Sequence, residues 1–225
     1  MTRYAVYLIP GIDSGATEPA AALRSAADSW FARAEFQDVT VDARRYGFHA
    51  TMKAPFRAAA GVSERMITDA VAELAAAHRQ VTLRALQPVT IGGFRALVPT
   101  GPTEDVNALA AGVVRGVDHL RAPLDDADRA RRRPDRLSLR QRELLEAWGY
   151  PYVLDEFRVH MTLTDRLSAA RAPEVDRAIH RHFAEFAGCD IPITSLSVCV
   201  EPEPGSAFRP LATHQLRTAA TTPAQ

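Results

Sequence analysis

Two short motifs built from the same residue types occur in the chain, one in each half. They are His49-Ala50-Thr51-Met52 and His160-Met161-Thr162-Leu163. A threonine hydroxyl can donate a hydrogen bond to a phosphoryl oxygen, and an imidazole can exchange a proton with an attacking or leaving oxygen. Two such pairs facing one phosphorus atom would suit the cleavage of a phosphate ester.

Both motifs fall in segments whose alternating pattern predicts β-strands, residues 46–56 and residues 156–164. Side chains two positions apart in a strand point to the same face. Each strand is therefore expected to present one imidazole beside one hydroxyl, with an apolar residue turned to the other face. The alternative interpretation is that both histidines are structural and are satisfied by the neighbouring threonines.

Further polar residues on the same strands are candidates for binding the substrate. Lys53 lies two residues after Thr51, and Arg158 two residues before His160, so each is expected to share a face with its motif. A phosphate site needs such cations, although Arg158 could equally be a surface residue. Lys53 is the only lysine among 27 basic residues, which also fits a bias in residue usage. Thr164 extends the second row of hydroxyls.

Tyr46 precedes the first motif and is a further candidate for the binding site. Its ring could stack on a base or its hydroxyl could bind a phosphate. We favour the alternative, which is packing in the core. The other histidines are weaker candidates: His180 and His182, for example, point apart on a predicted helix and are poor metal partners. We therefore expect neither a metal site nor a cofactor.

The order of the remaining elements favours an α+β fold with antiparallel sheets, because strands and helices do not alternate regularly. Hydrophobic periodicity predicts further strands over residues 3–10, 81–91, 94–99, 193–200 and 208–216, and helices over residues 19–34, 63–78, 107–120, 138–148 and 173–186. The charged segment 125–142 carries both signs, which is more typical of a solvated helix than of a tract that binds nucleic acid.

Composition excludes several classes of partner. The chain has 225 residues with 27 basic and 27 acidic side chains, so its formal net charge is zero. This argues against long nucleic acid or an anionic membrane surface as the partner. We find no apolar run of transmembrane length and no signal peptide, and we expect a cytoplasmic protein. The two cysteines fit neither a disulfide framework nor a zinc site. The oligomeric state cannot be read from the sequence.

The sequence segments around the two motifs resemble those of a known family. Two His-x-Thr-apolar motifs in the two halves of an α+β chain resemble the 2H phosphoesterase superfamily, which includes bacterial RNA 2′,3′-cyclic phosphodiesterases, also called 2′-5′ RNA ligases. RYGFHATMKAPF (45–56) and WGYPYVLDEFRVHMTLT (148–164) resemble, more narrowly, a branch of unknown function encoded in phosphonate-utilisation operons. The resemblance covers nearly the whole chain.

This resemblance implies the fold in more detail. It implies one bilobal, duplicated domain over residues 1–225, in which antiparallel sheets line a central cleft and helices lie outside. Relative to shorter members, the chain carries extra helical sequence around residues 121–147. The effect of this insert on the cleft stays open.

The resemblance also implies a metal-independent phosphodiesterase acting on a small cyclic or 2′-5′-linked phosphodiester, with a link to phosphonate metabolism. His49 and His160 would act as acid and base in an order that the sequence does not settle, and Thr51 and Thr162 would hold the phosphoryl oxygens. The partner would be a small phosphodiester or nucleotide. Two alternatives are RNA-end processing and a module that binds nucleotides or RNA ends without catalysis.

Overall fold

The computed structural model describes residues 1–218. Its strands are β1 (Arg3–Leu8), β2 (Ala50–Phe56), β3 (Val81–Leu83), β4 (Leu86–Ile91), β5 (Phe94–Pro99), β6 (Met161–Thr162), β7 (Ile191–Ile193), β8 (Ser195–Glu201) and β9 (Arg209–Gln215). Its helices are α1 (Glu18–Ala32), α2 (Val41–Tyr46), α3 (Glu64–Ala77), α4 (Glu104–Val117), α5 (Asp126–Arg131), α6 (Leu139–Trp148) and α7 (Ala172–His182). These strands pair antiparallel throughout, which confirms the predicted α+β class.

The helices begin where the local sequence supplies a cap. Proline is well tolerated in the first turn of α1, because the N–H that it lacks would be unpaired there. The Ser63 hydroxyl accepts the Met66 N–H at 3.2 Å and caps α3. Ser138 and Gln141 form a reciprocal capping box at the start of α6. The predicted helices therefore agree with the observed ones to within a few residues.

Seven strands form one sheet, in the order β4-β5-β6-β2-β1-β8-β9, and β3 and β7 form a second, two-stranded sheet. The two motif strands, β6 and β2, are neighbours near the middle of the large sheet. Ala50 of β2 lies opposite Met161 of β6. The strand groups β4-β5-β6 and β2-β1-β8-β9 therefore run together into a continuous surface at the motifs themselves.

One face of the large sheet is covered by helices. Val6, Ala50, Met161 and Val198 point to this face and are buried in the main hydrophobic core. Helices α1, α3, α4 and α7 complete this core with Leu23, Trp30, Ile67, Val71, Val113 and Ile179. The alternate residues of the same strands point to the opposite face, where Ala5, Tyr7 and Cys199 pack with Phe208 in a second, smaller apolar cluster. Helices outside and strands lining a cleft is the arrangement that the resemblance implied.

Both motif strands are shorter than the sequence pattern predicted. Residues 46–49 belong to the end of α2 and to a turn, so β2 begins only at Ala50. β6 ends at Thr162, because the N–H groups of Leu163 and Thr164 both donate to the Arg95 carbonyl, at 2.8 and 3.3 Å, and the regular ladder stops there. The histidine of each motif therefore comes directly before its strand.

The insert consists of α5, a short 3-10 turn and α6. Arg57 pairs with Asp125 at 2.9 Å and Asp128 at 2.7 Å, which ties the start of the insert to the end of β2. Leu144 of α6 packs with Val114 and Val153 in a separate apolar cluster. Across residues 1–218 no helix combines the length and the apolarity needed to cross a bilayer. Residues 219–225, which the domain prediction included, lie outside the described part.

Candidate active site

The two His-x-Thr motifs lie side by side in the sheet. Extending the Ala50–Met161 register by one residue in each direction places His49 beside Thr162 and Thr51 beside His160. Cross-strand neighbours in an antiparallel pair are about 4.5–5.5 Å apart at Cβ. By this register the four residues are cross-strand neighbours on the face of the sheet opposite the helices, with each histidine next to the threonine of the other motif.

The two imidazoles are oriented by the same kind of hydrogen bond, from Nδ1 to a backbone carbonyl two residues earlier. Nδ1 of His49 lies 2.9 Å from the Gly47 carbonyl oxygen, and Nδ1 of His160 lies 2.8 Å from the Arg158 carbonyl oxygen. A carbonyl can only accept, so Nδ1 carries the proton in both rings. Nε2 of a neutral ring is then an acceptor. In His49 it lies 3.0 Å from the Thr51 hydroxyl, which donates to it.

His49 is held in an environment that disfavours its charged form. The ring of Tyr7 stacks on it, with centroids 3.7 Å apart and planes 23° from parallel. Burial lowers the pKa of His49 from 6.5 to about 4, and the nearby His160 acts in the same direction, whereas the Gly47 carbonyl opposes both. His49 is therefore neutral near pH 7 and able to accept a proton at Nε2.

A cavity of about 720 Å³ opens over this face of the sheet. His49, Thr51 and Thr162 line it, whereas His160 does not. The ring of His160 lies 5.8 Å from that of Phe94, which is part of the cavity wall. Within the described residues, six arginines and three aspartates line the cavity: Arg3, Arg45, Arg57, Arg131, Arg132 and Arg166, with Asp42, Asp128 and Asp165. The cavity is therefore suited to an anion.

Two of these arginines are fixed by a single buried carboxylate. Glu201 of β8 has no exposed surface and pairs with Arg3, and with Arg45 at 3.3 Å. The Arg45 guanidinium also lies over the ring of Tyr46, 4.5 Å from its centroid. Sequence reasoning missed Arg3 and Glu201, which are cross-strand partners. Arg3 could have been found from the sequence, because side chains alternate along β1 and Arg3 therefore lies on the same face as Tyr7.

The second motif also supports the first through the chain that follows it. The Asp165 carboxylate accepts the N–H groups of Asp42 at 3.1 Å and Ala43 at 3.0 Å, and so caps the start of α2. Helix α2 ends at Gly47, whose φ of 75° and ψ of 175° suit glycine. This conformation turns the Gly47 carbonyl towards His49. Asp165 therefore helps to orient His49 through α2.

Lys53 does not share the face of its motif, and this expectation was wrong. Tyr7 pairs with Thr51 but Val6 pairs with Lys53, so β2 contains a bulge at this point. The extra residue turns Lys53 to the helix-covered face, where only 2% of it is exposed. Its ammonium pairs with Asp118.

The remaining predicted binding residues take different positions. Tyr46 lines the cavity and stacks on Phe208, with ring centroids 5.2 Å apart. Thr164 also lines the cavity, but its hydroxyl donates to the Asp165 carbonyl and accepts the Arg95 N–H, so it is already used. The Arg158 side chain is exposed and does not line the cavity, and it is the Arg158 carbonyl that contacts His160.

The insert contributes to the cavity wall, which sequence reasoning did not foresee. Asp128 and Arg131 of α5, Arg132 directly after α5, and Tyr150 after α6 all line the cavity. The mixed charge of this segment predicts a solvated helix, and nothing in the pattern indicates that it lines the cavity. Within residues 1–218, no group of three or more His, Cys, Asp or Glu side chains is arranged to hold a metal ion.

Two His-x-Thr motifs are thus paired in an antiparallel sheet, and His49, Thr51 and Thr162 from them line a cavity rich in arginine. The protein TT0787 of Thermus thermophilus has a similar fold, with a TM-score of 0.53 at 14% identity over 96% of this chain and 98% of that one. The chain belongs to the family described as protein of unknown function (DUF1045), whose model matches residues 51–209. The predicted family resemblance is thereby confirmed.

Two curated relatives are similar to the chain over most of its length. Ribose 1,5-bisphosphate phosphokinase PhnN of Janthinobacterium sp. (strain Marseille) is 36% identical over 92% of this chain and 49% of its own length. The protein of the same name from Laribacter hongkongensis (strain HLHK9) is 37% identical over 92% of this chain and 50% of its own. The chain thus spans about half the length of the curated relatives that it matches.

Proposed function

We propose that the chain is a phosphodiesterase that hydrolyses a small cyclic or 2′-5′-linked phosphodiester by two-histidine acid and base catalysis. The observation that carries the proposal is the in-register pairing of the two motifs, with both imidazoles held through Nδ1. With substrate bound, the Thr51 hydroxyl would donate to a phosphoryl oxygen instead of to His49 Nε2, and Nε2 of each ring would then be free for the reaction. Because two histidines supply both proton transfers, the mechanism needs no metal ion.

The reaction balances with these groups. His49 Nε2 takes a proton from a water molecule as the water oxygen bonds to phosphorus. The bond from phosphorus to the leaving oxygen breaks, and His160 Nε2 gives that oxygen a proton. Thr51 and Thr162 donate hydrogen bonds to the non-bridging oxygens, where negative charge accumulates. The products are a phosphate monoester and a free hydroxyl, and the protons on the two histidines then re-equilibrate with water.

The assignment of His49 as the base rests on its environment. Its pKa of about 4 keeps the ring neutral near pH 7, so that Nε2 can accept a proton. The Thr51 hydroxyl 3.0 Å away lies close enough for both groups to contact one phosphate and its attacking water. This assignment leaves His160 to protonate the leaving oxygen.

The size of the cavity favours a small substrate. Its volume of about 720 Å³ is within the usual range for small-molecule sites. The two curated relatives carry the name of an enzyme that acts on ribose 1,5-bisphosphate, and this supports a phosphorylated ribose as the substrate class. It also fits the proposed link to phosphonate metabolism, as does the family resemblance.

The test is hydrolysis of nucleoside 2′,3′-cyclic monophosphates and ribose cyclic phosphates in the presence of a chelator, with product followed by phosphorus NMR. We expect turnover in the wild type and a loss of at least about 100-fold in kcat for His49→Ala and for His160→Ala. His180→Ala, which removes an exposed histidine on α7, is the matched control. Activity that survives the double replacement of His49 and His160 would refute the mechanism.

Two further arms separate the alternatives. RNA oligonucleotides with 2′,3′-cyclic ends test RNA-end processing, and a preference for them over the free nucleotides would favour that function. Loss of activity on chelation would contradict metal independence. If no substrate is hydrolysed but nucleotides bind in a manner that depends on His49 and His160, the binding-module alternative replaces the enzyme.

A further inference from the structure

Arg132 is an unpaired cation in the cavity wall. It caps the end of α5 with its backbone, and its side chain lines the cavity. The neighbouring cavity arginines Arg3, Arg45 and Arg131 each have a carboxylate partner. Over residues 1–218, neither a salt bridge nor a side-chain hydrogen bond is made by Arg132. Its guanidinium lies over the ring of Tyr150, 4.7 Å from the centroid, and this stacking fixes its orientation.

A second polar group without a partner lies in the same cavity. Tyr7 is 1% exposed, and its hydroxyl oxygen has no hydrogen-bond partner among the described residues. A buried hydroxyl with no partner costs free energy, and such groups are rare in native proteins. Tyr7 lines the cavity. Its hydroxyl is therefore a donor available to a bound molecule.

These two groups share their surroundings. Burial lowers the pKa of Arg132 and raises that of Tyr7, and Arg3, Tyr46 and Tyr150 act on the pKa of both. Since Arg3 is already neutralised by a carboxylate, it adds little repulsion towards Arg132. An unpaired, half-buried guanidinium and an unpaired, buried phenol thus line the same cavity. Both would be satisfied by one anion.

We propose that Arg132 and the Tyr7 hydroxyl, with Tyr150 as the platform under Arg132, form a second anion subsite. The subsite would bind a terminal phosphate monoester of the substrate, separate from the phosphodiester that is cleaved. A guanidinium fork and a phenol match the several acceptor oxygens of a phosphate monoester. The inference rests on the proposed function and gives the insert a role, which is to select substrates that carry a second phosphate.

The first test compares two substrates that differ only in that group, adenosine 2′,3′-cyclic monophosphate with and without a 5′-phosphate. For the wild type we expect kcat/KM to be about 10- to 100-fold higher with the 5′-phosphate, the range of a charge-assisted contact. In Arg132→Ala this ratio should fall towards one, and in Arg132→Lys it should be intermediate. Arg136→Ala, which removes an exposed charge from the same insert, should retain the wild-type ratio.

The second test does not depend on turnover. Titration calorimetry with adenosine 5′-monophosphate should show binding to the wild type and about 10-fold weaker binding to both Arg132→Ala and Tyr7→Phe. Tyr7→Phe keeps the ring that stacks on His49, so its thermal midpoint should not fall. The subsite proposal would be overturned if the ratio of kcat/KM with and without the 5′-phosphate were the same in the wild type and Arg132→Ala. It would also be overturned if adenosine 5′-monophosphate did not bind, or bound the wild type and the variants equally. If no substrate is hydrolysed but adenosine 5′-monophosphate still binds in a manner that depends on Arg132, only the phosphodiesterase proposal is refuted.

Discussion

The low pKa of His49 makes the stability of the folded chain depend on pH in a defined way. The unfolded chain binds a proton at His49 below about pH 6.5, whereas the folded chain does so only below about pH 4. Between these values the unfolded state binds more protons, so the free energy of unfolding falls as the pH falls. The full difference corresponds to about 3.4 kcal/mol, at 1.36 kcal/mol for each tenfold change in proton affinity.

Replacing His49 with glutamine removes this contribution, because glutamine does not titrate. We expect the wild type to lose about 2 kcal/mol more than His49→Gln when the pH is lowered from near 7.5 to near 5. The assay is urea unfolding at the two pH values, followed by circular dichroism. Because other titrating groups are shared by both proteins, they cancel in the comparison.

His180→Gln is the matched control, because this histidine is exposed on α7. It should follow the wild type at both pH values. If His49→Gln and the wild type lose stability in parallel, the imidazole is not buried in its neutral form. The assignment of His49 as the base would then lose its support.

Four further outcomes follow from contacts around the motifs. Gly47→Ala should lower the free energy of unfolding by about 1–3 kcal/mol in urea titrations, because φ is 75° and ψ is 175° there; no loss would contradict the argument. Lys53→Met should cost about 1–3 kcal/mol, because the half-buried Asp118 loses a charged partner, although Arg121 still pairs with it. The same variant should leave KM for a cyclic nucleotide unchanged, whereas a raised KM would restore Lys53 to the phosphate site. Asp165→Ala should lower the free energy of unfolding by about 0.5–2 kcal/mol, because α2 loses its N-terminal cap, and it should also lower kcat. An unchanged kcat would show that α2 does not help to orient His49. As the pH is lowered, kcat/KM should fall near pH 4, where the pKa of His49 lies. The fall in kcat should come at a higher pH, because the bound anion favours the protonated ring. If both fall at the same pH, this would argue against His49 as the base.

Local pattern predicted most of the helices and strands, although both motif strands are shorter than expected. Helix boundaries agree because caps such as Ser63 and Ser138 are supplied by neighbouring residues. The pairing of His with Thr on one face follows from the period of a strand, and it needs no tertiary information. The proposed class of chemistry rests on the same pairing.

Features that depend on long-range pairing could not be predicted. The bulge that turns Lys53 away from the cavity arises from the register between β1 and β2, which alternation within one strand does not reveal. The hydroxyl of Thr164 is used by Arg95, a residue from a distant strand. Arg132 belongs to a segment whose pattern is typical of a solvated helix, and only the folded insert brings it into the cavity.

The position of β6 has a consequence for how the protein folds. Met161 contacts Ala50 of β2 on one side and Leu97 of β5 on the other, so this two-residue strand joins segments that are far apart in the chain. Contacts of such long sequence separation require the closure of large loops, and they slow folding. We therefore expect the two halves of the site to meet late in folding, after both flanking strand groups have formed. Catalytic competence should be among the last properties that the folding chain acquires.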